Sequence, residues 1–306
     1  MFKGSYVALV TPLRNGRVDE AALKALVDYH VEQRSDGLVP CGSTGESATL
    51  SHDEHRRVVE IVCKAARGRL PVIAGAGSNS TAETLGLVRH AAKVGASGVL
   101  LVVPYYNKPM PRGLYEHFKT AAHATRLPVI LYNIPGRSVI NMPVETVVQL
   151  AKDCPTIVGI KEASGSMDYT SQLLTALDRR RFTVLSGDDS LTLPLMAIGA
   201  QGVISVIANI LPAAMAELCR AALSGRYDRA QELHLQMVPL MRALFYETNP
   251  IPIKTAMGAL GVCRSELRLP LTAMGPETKK KLLAALKACP LLRSSSPRKR
   301  GSRTSP

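Results

Sequence analysis

The amino-acid sequence predicts an α/β protein, a (β/α)8 TIM barrel with a C-terminal helical extension. Three observations carry that expectation. Eight short apolar or β-branched runs alternate with eight segments of helical apolar spacing over about 220 residues. The runs are near-continuously apolar, as strands covered on both faces must be. A glycine-rich stretch, Gly75-Ala76-Gly77-Ser78-Asn79-Ser80, lacks the final glycine of a dinucleotide-binding turn, which disfavours the competing doubly wound open sheet.

In chain order, a first strand at 6–11 is followed by a helix at 19–34. The strand at 37–41 precedes a helix at 52–66, where Ser51 with Glu54 three residues on forms a capping-box pattern. The strand at 71–76 leads to a helix at 82–94 under the same signal, Ser80 with Glu83. Next come strand 98–103 with helix 114–125, then strand 129–134 with helix 144–152, where Pro143 suits a first helical turn. Strands 157–163, 182–187 and 202–208, with helices 169–177, 191–198 and 213–223, complete the alternation. From Tyr227 the pattern is helical through Met241, Phe245, Ile253, Met257 and Leu260, and again from Glu277 to Leu286, as an appendage to the barrel. The expected organisation is therefore 1–224 as the barrel carrying the active site, 225–292 as a helical region, and 293–306 as a basic, disordered tail.

The chain has 306 residues, 46% hydrophobic and 20% charged, enough for a substantial core. Met1-Phe2-Lys3-Gly4-Ser5 leads directly into the first strand without the basic flank and apolar stretch of an export signal. No apolar run approaches the ~18 residues of a membrane span, so no membrane association is expected. Cys41, Cys63, Cys154, Cys219, Cys263 and Cys289 are scattered singly, which reads as reduced thiols in a cytoplasmic protein. Net charge is +14, and its location narrows its meaning. No acidic residue follows Glu277, whereas Lys279, Lys280, Lys281, Lys287, Arg293, Arg298, Lys299, Arg300 and Arg303 all lie beyond it. No aromatic residues interleave that run, so a nucleic-acid partner is not expected.

A barrel holds its chemistry at the C-terminal ends of its strands. Lys161 ends the apolar run Ile157-Val158-Gly159-Ile160-Lys161-Glu162. An apolar interior lowers a lysine pKa from ~10.4, so that free amine can condense with a carbonyl, although most lysines are solvated surface groups. The second strand ends in Gly42-Ser43-Thr44-Gly45-Glu46, either a simple tight turn or a nest of N–H groups for a carboxylate. The fourth ends in Pro104-Tyr105-Tyr106-Asn107, and the fifth in Tyr132-Asn133-Ile134-Pro135-Gly136-Arg137. A phenol there is a packing residue or a proton shuttle, and a guanidinium is a surface charge or a carboxylate fork. Asp188-Asp189 has no nearby histidine, and His52 with His55 makes only a close pair, so neither a metal nor another cofactor is expected. An imine supplies its own electron sink.

Together, Gly42-Ser43-Thr44-Gly45-Glu46, Tyr132-Asn133-Ile134-Pro135-Gly136-Arg137 and Gly159-Ile160-Lys161-Glu162 resemble the pyruvate-dependent class I aldolase and lyase family, over about residues 1–290. The resemblance implies that Lys161 forms an imine with pyruvate. It makes Tyr132 the central proton-transfer phenol, Thr44 its relay partner, and Tyr106 a relay tyrosine that crosses a dimer interface into the neighbouring site. Ser43 and Thr44 would hold the pyruvate carboxylate, with Gly187 and Ile204 lining the pocket. Arg137 resembles the residue that binds the carboxylate of L-aspartate 4-semialdehyde. The implied reaction is condensation of that aldehyde with pyruvate to 4-hydroxy-2,3,4,5-tetrahydrodipicolinate, an early step of the diaminopimelate route to lysine.

Ser43 departs from the threonine common in that branch and is shared with many sialic-acid lyases. Those lyases usually lack the arginine, and losing a carboxylate's partner costs more than exchanging one hydroxyl for another. The alternative enzyme is therefore an N-acetylneuraminate lyase or a similar aldolase. A catalytically silent ligand sensor or nucleic-acid-associated scaffold is opposed by the intact Lys161, Tyr132 and Tyr106. Ser47, Ala48, His52, His55, Asn79, Glu83 and Tyr105 match the positions that bind L-lysine at the dimer interface of feedback-inhibited members. Taken singly, His52 and His55 are helix-surface residues and Glu83 a helix-start carboxylate. The resemblance also implies homodimer contacts and a homotetramer.

Overall fold

The computed structural model describes residues 2–294. The apolar runs form parallel strands β1 (Gly4–Ala8), β2 (Gly37–Val39), β3 (Ile73–Gly75), β4 (Gly98–Val102), β5 (Val129–Asn133), β6 (Ile157–Glu162), β7 (Thr183–Ser186) and β8 (Gly202–Ser205). Hydrogen bonding runs in the order β2-β1-β8-β7-β6-β5-β4-β3. The two ends meet where Leu38 bridges Val72 in parallel and the Gly75 N–H donates to Pro40 O at 2.9 Å, closing the barrel. Closure leaves no sheet edge and gives every strand two covered faces.

Alternate strand residues serve different layers. Tyr6, Ala8, Val39, Ile73, Leu100, Ile130, Tyr132, Leu185 and Ile204 fill the barrel interior. Their neighbours Val7, Leu38, Val99, Leu101, Leu131, Val184 and Val203 pack under the helices. Helix starts follow the sequence signals. Ser51 accepts from the Glu54 N–H, and the Glu54 carboxylate accepts in return from the Ser51 N–H. Ser80 accepts from the Glu83 N–H in the same way, but the Glu83 carboxylate turns instead to the Ser78 hydroxyl, at 2.6 Å. Pro143 stands at the capping position before helix Val144–Asp153 rather than inside its first turn.

Short elements between the expected ones shape the mouth. Leu13–Arg14 and Arg17–Val18 form a hairpin turned by Asn15 and Gly16, both left-handed, as a two-residue hairpin turn requires. A 3₁₀ turn covers Ser47–Thr49, and a single helical turn, Pro135–Ser138, carries Arg137. Helices Tyr227–Ala243, Ile251–Ala259, Pro276–Ala288 and Pro290–Ser294 follow the barrel. They form the expected extension outside the barrel, and it reaches the mouth, where Asn249, Pro250 and Leu271 help wall the cavity. The expected basic tail begins inside Pro290–Ser294, and 295–306 lie outside the described residues. Among the described residues no helix is long and apolar enough to cross a membrane.

Candidate active site

Strands β5 and β6 pair with Tyr132 opposite Lys161 and Asn133 opposite Glu162. Regular alternation does not produce that register. Ile157 packs in the helix-facing layer, and a strict two-residue period from it would send Lys161 to the same side. Instead Val129 pairs with Ile157 while Ile130 pairs with Gly159, so Val158 is an extra residue that reverses the phase of the strand. Ile160 then joins the helix-facing layer, and Lys161 turns inward. Its Nζ lies over the Tyr132 ring, 4.2 Å from the centroid. The two residues are only 6% and 5% exposed. Gly187, just beyond β7, makes the space: a Cβ there would lie 2.6 Å from Ala163 Cβ and 3.1 Å from Lys161 Cε.

A cavity of about 360 Å³ opens at this end of the barrel, walled in part by Ser43, Tyr132, Arg137 and Asn249. The turn after β2 pairs the N–H groups of its later residues within itself. Gly42 O accepts from the N–H groups of Gly45 and Ser47, at 3.0 and 3.4 Å, and Ser43 O accepts from Glu46 at 3.2 Å. Among the described residues nothing pairs with the N–H groups of Ser43 and Thr44. With their two hydroxyls, these make a compact four-donor nest suited to a carboxylate. Thr44 Oγ1 accepts from Asn249 Nδ2 at 2.9 Å, which leaves the Thr44 proton to donate onward. The main-chain oxygen of Asn249 accepts from Arg137 Nη2 at 2.7 Å, fixing the guanidinium at the cavity wall.

Buried carboxylates brace the strand exits. Asn133 Nδ2 donates to Glu162 at 2.9 Å while Asn133 Oδ1 accepts from the Met142 N–H at 3.1 Å, so the residues beside Tyr132 and Lys161 are tied together. Burial pushes the Glu162 carboxyl up, against hydrogen bonds from Ser164 and Asn133. Asp189 accepts from the N–H groups of Val206 and Ile207, at 3.1 and 2.8 Å, locking the exit of β7 to that of β8. Its burial raises the carboxyl to about 6.

The sequence model of the dihydrodipicolinate synthetase family matches residues 1–289. The chain belongs to that family. A 4-hydroxy-tetrahydrodipicolinate synthase from Aquifex aeolicus is 52% identical over 287 residues, spanning 94% of this chain and 97% of the relative. A crystal structure of dihydrodipicolinate synthase from Aquifex aeolicus superposes with a TM-score of 0.92, covering 94% of this chain and 97% of that one. The chloride-inhibited dihydrodipicolinate synthase from Acinetobacter baumannii, complexed with pyruvate, is 44% identical with a TM-score of 0.92, covering 94% of this chain and 99% of that one. One from Cyanidioschyzon merolae with lysine bound is 40% identical, again at 0.92, covering 95% of this chain and 99% of that one.

Within this dihydrodipicolinate synthetase barrel, the expected site residues fall into groups. Ser43, Tyr132 and Arg137 share the cavity wall. Thr44 is the buried member of the nest, Ile204 packs in the interior cluster with Tyr132, and Gly187 abuts Lys161. Tyr106 stands apart, 88% exposed, in a left-handed conformation with φ of 73°. Of the expected effector residues, Ser47, Ala48 and Tyr105 line the same cavity. His52 Nε2 faces Glu83 Oε1 at 3.9 Å, and the Asn79 carbonyl accepts from Asn107 Nδ2 at 2.8 Å. His55 is no helix-surface residue: it is buried, and burial, aided by nearby His90, His52 and Arg56, holds its imidazole down to about 4.

Asn249, Lys254 and Arg268 had no place in the sequence-based site. A signal for one existed: in Asn249-Pro250-Ile251-Pro252-Ile253-Lys254, a lysine again ends an apolar run. Lys254 is fully buried and paired with Glu46 at 2.5 Å.

Proposed function

We propose that this chain is a 4-hydroxy-tetrahydrodipicolinate synthase, condensing pyruvate with L-aspartate 4-semialdehyde. The observation that carries the proposal is the inward-facing Lys161 packed on Tyr132 beside a four-donor nest and a fixed guanidinium. Pyruvate binds with its carboxylate on Ser43 and Thr44. The Lys161 amine adds to the ketone, and water leaves as Tyr132 and Thr44 move protons, giving an imine. Loss of a methyl proton yields the enamine. Its carbon bonds to the aldehyde carbon of the second substrate, whose carboxylate pairs with Arg137. The substrate amine then displaces Lys161 from the imine carbon, closing the ring as 4-hydroxy-2,3,4,5-tetrahydrodipicolinate and freeing the lysine.

Exposed Tyr106 completes the relay in the neighbouring subunit's site, so the working unit is at least a homodimer, paired into a tetramer. L-lysine binds as effector around Ser47, Ala48, His52, His55, Asn79, Glu83 and Tyr105. The face-to-face His52 and Glu83, and a Tyr105 that reaches the catalytic cavity, support that placement. Such an enzyme works in the cytoplasm on soluble metabolites.

Borohydride reduction in the presence of pyruvate, followed by peptide mass measurement, tests the chemistry. A pyruvate-derived mass on Lys161 is expected, and its absence under turnover conditions refutes the imine. Turnover with aspartate semialdehyde but not with N-acetylmannosamine separates this synthase from a sialic-acid lyase. Unchanged activity at millimolar L-lysine overturns the effector site.

A further inference from the structure

The turn that forms the carboxylate nest ends in Glu46, which borders the cavity and is held in a buried ion pair with Lys254. Glu46, the last residue of the turn, is 4% exposed and left-handed, with φ of 54°. Cys41, at the other end of the turn, is also left-handed, with φ of 55°. Non-glycine residues keep that conformation only where their surroundings impose it. At Glu46 the surroundings are specific. Oε1 pairs with Lys254 Nζ at 2.5 Å, and Oε2 accepts from the Arg268 N–H at 3.2 Å. Lys254 Nζ also donates to Thr11 O at 3.0 Å, and Thr11 Oγ1 donates to Gly45 O at 2.7 Å.

The Gly45 carbonyl is thereby occupied by Thr11, and the Glu46 side chain is drawn toward helix Ile251–Ala259. Both acts matter for an anion. A carbonyl or carboxylate turned into the nest would repel the ligand's negative charge, whereas here the Gly45 carbonyl and the Glu46 carboxylate are both held by partners of their own. A buried ion pair adds little stability over a well-packed apolar pair, so directional control is what it supplies.

We propose that Glu46 and Lys254 are positioning residues for substrate carboxylate binding, setting the affinity of the nest for pyruvate without entering the proton relay. The proposal rests on the assignment of the nest to pyruvate. Its test is the pyruvate concentration giving half-maximal borohydride labelling of Lys161 in the full-length enzyme, alongside steady-state kinetics. For Glu46→Gln the half-saturating pyruvate should rise about tenfold, the loss expected of one charge-assisted contact. Maximal labelling, kcat and the KM for aspartate semialdehyde should stay within about threefold, a change too small to signal lost chemistry. Thr11→Val, which removes one hydroxyl and no charge, should give a smaller rise in the same direction and decides the matter if Glu46→Gln does not fold. A folded Thr11→Val or Glu46→Gln enzyme with unchanged half-saturation, or with losses only in kcat, overturns the positioning role. A parental enzyme that labels nowhere overturns instead the imine on which the proposal rests.

Discussion

Replacing Asn249 with alanine separates two functions that meet at one residue. The side-chain amide holds Thr44 at 2.9 Å, while the main-chain oxygen holds Arg137 at 2.7 Å. The substitution removes the first contact and leaves the second in place. Asn249 Oδ1 already lacks a partner, so its removal orphans nothing further, and Thr44 keeps its own proton to donate. The loss is that of one buried neutral hydrogen bond, about 1–2 kcal/mol. At ~1.4 kcal/mol per decade, that is roughly a 5- to 30-fold fall in kcat as Thr44 loses its fixed orientation. The KM for aspartate semialdehyde should hold, because Arg137 is anchored to backbone. Steady-state kinetics with each substrate varied in turn, on protein whose melting temperature shows it folded, reads both numbers. A kcat within twofold of the parental enzyme refutes the dependence of Thr44 on Asn249, and a selective rise in the aldehyde KM refutes the division of labour.

Tyr132→Phe keeps the ring against Lys161 and removes only the hydroxyl, so kcat should drop by roughly 10²–10⁴ with little change in melting temperature; a loss below tenfold argues against a central phenol. Arg137→Ala should raise the aldehyde KM by about 10- to 100-fold, the worth of a charge-assisted contact, while half-saturation of labelling by pyruvate stays put. Acid should destabilise the fold. Burial holds His30, His55 and His117 down to about 3, 4 and 4, so below the unfolded value near 6.5 the unfolded chain takes up protons that the native one refuses. Each contributes stability that is complete above that value and declines as pH falls, by about 2 kcal/mol at pH 5. Asp189, raised to about 6, opposes this, as do Glu162 and Asp36, whose carboxyls burial also pushes up. Denaturant titrations at pH 7.5 and pH 5 should show lower stability in acid, and equal midpoints would contradict the assignment.

The barrel was legible because its strands are covered on both faces and its helices on one, which writes apolar runs and helical spacing directly into the chain. Capping followed the same logic at Ser51, where the box depends on four consecutive residues. It half-failed at Ser80, because the Glu83 carboxylate found Ser78, a competitor that no local rule ranks. Asn249 and Lys254 escaped notice because their partners, Thr44 and Glu46, lie more than 200 residues away in the chain.

Lys161 shows most sharply where local information ends. Its residue type and place at the end of an apolar strand are properties of the chain alone, and they set an amine nucleophile beside the plainer reading of a solvated lysine. Which way that amine points is not. Counting by twos from Ile157 sends it to the helices, and only the extra residue Val158, admitted by pairing with β5, turns it onto Tyr132. Side-chain direction along a strand depends on register with a neighbour, and register is settled when the sheet assembles.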